Sequence, residues 1–110
     1  RSLIDMMSMQ RKVIYKITYP NGKIYIGQDV TDDINYYGSP NKRQLEEDFP
    51  IETRKSFTIT KDILWEIIEQ LGNSDIINKK EMEFIALYES NNPLNGYNLR
   101  PKYKKISYGV

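Results

Sequence analysis

From Val13 to Tyr19 the chain reads Val-Ile-Tyr-Lys-Ile-Thr-Tyr, with Lys16 and Thr18 alternating against Tyr15, Ile17 and Tyr19. A period of two among β-branched and aromatic residues predicts a strand with one face against a core. Pro20-Asn21-Gly22-Lys23 follows. Asn-Gly between two such runs predicts a hairpin, because both residues tolerate positive φ. The return strand covers Lys23 to Gln28, with Ile24, Tyr25 and Ile26, and ends near Gly27. Asp29 to Tyr37 is polar and acidic and reads as a loop or short irregular helix. Gly38-Ser39-Pro40 then predicts a helix start, with Ser39 as N-cap and Pro40 at the first helical position, running to about Glu47. Pro50 and the charged stretch Glu52 to Lys55 form a connection. Period-two alternation from Phe57 predicts a third strand to about Ile67. Leu71-Gly72-Asn73-Ser74 supplies a turn and a cap for the best helical segment, Asp75 to Tyr88. Asn91 to Asn98 is turn-rich.

The order β-β-α-β-α predicts an α+β domain: a small three-stranded antiparallel or mixed sheet flanked by helices. Residues 1–11 read as a leader segment, without assigned chemistry, and 12–99 as the domain. Residues 100–110 form a tail, basic at first and weakly structured. At 110 residues one core is expected. No apolar run approaches the roughly 18 residues of a membrane span, and no signal-peptide pattern is present, so a cytoplasmic protein is expected.

Composition narrows the chemistry. The chain has no His and no Cys, which excludes Ser-His-Asp triads, Cys nucleophiles, His/Cys metal sites and disulfides. Catalysis would fall to carboxylates, Tyr, Lys, Arg, Ser/Thr or a hard metal held by oxygen. A net charge of +1 argues against binding nucleic acid by bulk electrostatics alone. Nine Tyr against three Phe is an unusual ratio, for which amphipathic packing at the core edge is the ordinary explanation.

One carboxylate sits on the wrong face of a helix. At about 100° per residue, Ile77, Phe84, Ile85 and Tyr88 share a stripe. Glu81 lies on it too, four residues from both Ile77 and Ile85, whereas Glu83 faces away. Such a Glu is costly to bury unless paired or coordinated. It is either salt-bridged or at the rim, or else a ligand for a hard cation. The hairpin brings Tyr15 and Tyr25 onto neighbouring strands, where a pair of tyrosines ordinarily packs. Two phenols and a carboxylate around one pocket would also suit phosphoryl transfer.

At these residues the sequence resembles the GIY-YIG nuclease superfamily. Val13-Ile14-Tyr15 and Tyr25-Ile26-Gly27, with ten residues from Tyr to Tyr, are similar to its two-part signature. Glu81-Met82-Glu83-Phe84-Ile85 is similar to the helix presenting its metal-binding Glu, and Asn95-Gly96-Tyr97-Asn98 to its terminal motif. The resemblance covers about Lys12 to Leu99. It implies hydrolysis of a nucleic-acid phosphodiester, with DNA the expected substrate, using Mg2+ or Mn2+. In that scheme Tyr15 is the candidate general base or positioner of water, and Tyr25 supports the nucleophile or contacts phosphate. Glu81 holds the metal and Asn98 braces the site. A phenol titrates at about 10, so a Tyr base needs nearby positive charge, from the metal, Lys16 or Lys23.

The sequence departs from the pattern in two places. Val13 stands where the first motif has Gly, and the place of the usual helix Arg falls at Asn35. Tyr36-Tyr37-Gly38-Ser39 resembles a sub-branch with a Tyr-x-Gly-Ser motif, in which Lys42 and Arg43 are the nearest cations. Arg43 is the candidate replacement, although Lys42-Arg43 also fits a solvated helix face. The alternative to a nuclease is therefore a catalytically impaired module of the same fold that binds nucleic acid or protein. A homodimer, or a separate DNA-binding domain, would supply the hold on DNA that the charge does not.

Overall fold

The computed structural model describes residues 9–70, 72 and 74–104. Among these, β1 (Met9–Thr18), β2 (Ile24–Asp29) and β3 (Thr60–Gln70) form one antiparallel sheet in the order β2-β1-β3. Two α-helices, α1 (Lys42–Asp48) and α2 (Asp75–Tyr88), and a 3-10 turn over Ile51–Thr53 complete the order. The fold is α+β, as the sequence order predicts. No helix among the described residues is long and apolar enough to cross a membrane.

The hairpin forms where Asn21-Gly22 predicts it. Gly22 takes φ 85°, Tyr19 and Lys23 close the turn through Tyr19 N to Lys23 O at 2.9 Å, and Asn21 Oδ1 accepts from Lys23 N at 3.0 Å. β1 starts at Met9, earlier than Val13, because its first residues pair with β3 alone: Met9 faces Gln70, and pairing with β2 begins at Val13 opposite Asp29. The first eight residues, most of the expected leader, lie outside the described residues, as do Leu71, Asn73 and 105–110.

The expectation of a single buried face on β1 needs correction. Val13, Tyr15, Ile17 and Tyr19 pack with Tyr97 against Leu45 and Phe49, while Ile14 joins Ile26, Ile77 and Ile85 beneath α2. A central strand covered on both sides reads as a contiguous apolar run, which Val13-Ile14-Tyr15 is. β3 begins at Thr60 rather than Phe57, since the Phe57 ring packs edge-on to Phe49 at 4.9 Å, outside the sheet. A bulge between Ile14 and Tyr15, opposite Trp65 and Ile63, leaves Leu64 as the extra residue.

The start of α1 also differs from expectation. Asn41 is the N-cap, its Oδ1 accepting from Gln44 N at 3.2 Å, and Lys42 is the first helical residue. Ser39 lies two residues before that cap, where its N–H donates to Tyr25 Oη at 3.1 Å. α2 runs over the residues its periodicity predicts, burying Ile77 and Ile85.

Candidate active site

The site grows out of the outer edge of β2. Alternate residues of an edge strand present both N–H and C=O away from the sheet. At Ile24 these are met by backbone: Ile24 N donates to Asn95 O at 3.0 Å and Tyr97 N to Ile24 O at 2.9 Å. At Ile26 a side chain takes over, with Asn98 Oδ1 accepting from Ile26 N and Asn98 Nδ2 donating to Ile26 O, both at 2.8 Å. At Gln28 the Glu81 carboxylate accepts hydrogen bonds from both backbone and side chain. Gly96 permits this approach, since a Cβ there would strike the carbonyl oxygens of Ile24 and Ser90.

Past the point where the chain after Asn98 leaves this edge, a cavity of about 260 Å³ opens, lined by Tyr25, Ile26, Ser39, Glu81, Asn98, Leu99 and Arg100. Tyr25, Glu81 and Asn98 are thus brought together from β2, α2 and the terminal segment. Burial pushes the Glu81 carboxyl above its ordinary value, and the hydrogen bonds from Gln28 oppose that shift. Glu81 makes no salt bridge within the described residues, whereas Glu83 turns outward to Lys80 at 3.2 Å.

Tyr15 is close by but does not line the cavity. Its ring centroid lies 6.3 Å from that of Tyr25 and 6.2 Å from that of Tyr36, and its hydroxyl is wholly buried without a hydrogen-bond partner. Burial first, and then Tyr25, Tyr36, Asp29 and Glu81, push its phenol far up. Burial likewise raises Tyr25, opposed by the N–H of Ser39. Gly38 is required against these rings: it has φ 76°, and a Cβ on it would meet both phenols.

Neither lysine named as a source of positive charge reaches Tyr15. Lys16 Nζ lies 5.2 Å from the centre of the Tyr88 ring, and Lys23 pairs with Asp48 at 2.8 Å. The cation over Tyr15 is Lys61, 4.6 Å from the ring centre, held by the carbonyls of Tyr36 at 2.8 Å and Asp33 at 3.1 Å. In sequence Lys61 is only a polar position in an alternating strand, so nothing there distinguishes it. Arg43 does not line the cavity: its side chain is 91% exposed and it pairs with Glu47 at 3.4 Å on the same helix. Arg100, two residues beyond the terminal motif, does line it.

Among the described residues no group of three or more His, Cys, Asp or Glu is arranged to hold a metal ion. The cavity offers one carboxylate, with amide and phenol oxygens beside it. That donor set fits Mg2+, which keeps several waters and is often held by one or two carboxylates together with substrate phosphate. No family model matches the sequence, and neither a curated protein nor a solved structure matches it significantly.

Proposed function

We propose that the protein is a metal-dependent endonuclease of the GIY-YIG type that hydrolyses nucleic-acid phosphodiester bonds, with DNA as substrate. The observation that carries this reading is the convergence of Tyr25, Glu81 and Asn98, from three distant parts of the chain, on one cavity. Glu81 is the residue to hold Mg2+ or Mn2+. The ion that Glu81 would hold would lower the pKa of a water and offset charge on a phosphate oxygen. Asn98 keeps the terminal segment in register with Ile26. Tyr25, its hydroxyl oriented by the N–H of Ser39, keeps its proton and donates a hydrogen bond toward a phosphate or water oxygen.

With both phenols raised, each stays protonated at neutral pH. In this reading Tyr25 acts as a donor at the cavity, and the buried ring of Tyr15 supports it from behind. The buried Tyr15 hydroxyl also favours a second reading, a module of this fold that binds nucleic acid or protein without cutting. Incubation of plasmid DNA with the protein and Mg2+ separates the two. Nicking that EDTA and Glu81→Gln both abolish supports the nuclease; a salt-dependent gel shift without nicking supports the binding module.

A further inference from the structure

Among the residues lining the cavity, Arg100 is the only cation. The other described arginines are engaged elsewhere: Arg11 with Asp32 and Glu66, Arg43 with Glu47, and Arg54 with the carbonyl of Phe49. Arg100 has no ion-pair or hydrogen-bond partner among the described residues. Arg100 is exposed at the mouth of a cavity whose carboxylate, Glu81, is half-buried, and an unpaired guanidinium there suits an anion, because its planar fork matches two oxygens of a phosphate.

The backbone on either side of it is anchored. Two residues before it, Asn98 is held on Ile26 by two hydrogen bonds of 2.8 Å, and directly after it the carbonyl of Pro101 accepts from Asn91 Nδ2 at 2.8 Å. Anchors on both flanks reduce the ordering cost of a charged contact. A second cavity of about 340 Å³ shares Asn98 and Leu99 with the first and is also lined by Lys102 and Tyr103.

We propose that Arg100 is the phosphate-binding cation of this site, contacting non-bridging oxygens of the substrate phosphodiester opposite Glu81. The substrate class rests on the nuclease reading above, whereas the anion contact rests on the cavity alone. The test is binding of a 12-base-pair DNA duplex in Ca2+, followed by fluorescence anisotropy across a salt series, for the wild type, Arg100→Gln, Arg100→Lys and Arg43→Gln. Removing one phosphate contact should lower the log–log salt slope by about one and weaken binding about tenfold in Arg100→Gln. Arg100→Lys should keep the slope and lose part of the affinity, and Arg43→Gln should match the wild type.

Equal slopes and affinities for wild type and Arg100→Gln overturn the proposal, as does failure of the wild type to bind DNA. Circular dichroism establishes that each variant is folded; should Arg100→Gln not fold, the affinity loss in Arg100→Lys decides. Cleavage is scored separately in Mg2+. A wild type that binds through Arg100 but never cuts sinks the nuclease reading and leaves the phosphate site standing.

Discussion

Asn98→Ala removes the side chain that stands in for a β-strand along the outer edge of β2. Two hydrogen bonds of 2.8 Å disappear, and the N–H and C=O of Ile26, whose side chain is fully buried, lose their partners. Each lost bond is worth about 1 kcal/mol net, and a buried group left unsatisfied costs about 1–3 kcal/mol. The adjoining cavity admits water on one side, so the lower part of that range applies, giving a destabilisation of about 2–3 kcal/mol. For a domain of this size that lowers Tm by roughly 8–24 °C, at about 4–8 °C per kcal/mol. Urea and thermal unfolding followed by circular dichroism at pH 7 measure it, with an unchanged m-value showing that the transition is the same.

Asn98→Asp refines the test. The carboxylate still accepts from Ile26 N–H but has no proton for Ile26 O and sets negative charge against it. This variant should be at least as unstable as the alanine variant at pH 7. It should recover in part below about pH 4, where the protonated acid donates again. A loss of under about 0.5 kcal/mol in Asn98→Ala, the size of an ordinary surface change, would refute the bracing role.

Three further outcomes follow from the same geometry. Tyr15→Phe deletes a buried hydroxyl that has no partner, so it should leave stability unchanged or raise it by up to about 1 kcal/mol; a clear loss of stability would refute this account of the hydroxyl. Gly38→Ala places a Cβ against both phenols at φ 76° and should cost about 1–3 kcal/mol in urea unfolding, partly relieved in combination with Tyr15→Phe. Asp48 is held below its ordinary value first by Lys23 and then by Tyr97, which donates to it at 2.6 Å. A depressed folded-state pKa contributes stability above the unfolded value and loses it as pH falls through the folded one. Asp48→Asn should therefore be destabilising at pH 7, by about 1–2 kcal/mol for a charge-assisted pair. The gap to wild type should narrow as pH drops below the ordinary carboxylate range. A gap independent of pH would count against the ionic account.

The hairpin and α2 were legible in sequence because each follows from a local rule: Asn-Gly between β-branched runs, and a period of 3.6 over 14 residues. Glu81 stood out for a physical reason, a carboxylate on an apolar stripe, and the structure places it at the cavity. Double-sided burial of β1 was missed because alternation marks a strand with one solvated face, and Lys16 and Thr18 supplied that pattern at one end only. The start of β3 was displaced because Phe57 extends the alternation while its ring belongs to the Tyr19–Phe49 cluster. Ser39 reads as a cap by residue type, but the helix starts later and Asn41 caps it. Arg100 and Lys61 were invisible for a related reason. Their positions depend on where distant carbonyls and amides hold the chain, and no local spacing encodes that.

The succession of backbone, Asn98 and Glu81 along the outer edge of β2 also bears on self-association. An edge strand with free N–H and C=O groups recruits further strands, the usual route to domain swapping and fibrils. Here that route is blocked on the side that carries the cavity, by the same residues that build it. Among the described residues the outer edge of β3 is left without a partner strand, and β3 bears the exposed side chains of Asp62, Ile63, Glu66 and Ile68. Loss of Asn98 or Glu81 would therefore open a second edge for strand addition, and partial unfolding there would leave molecules able to join at both edges and form chains.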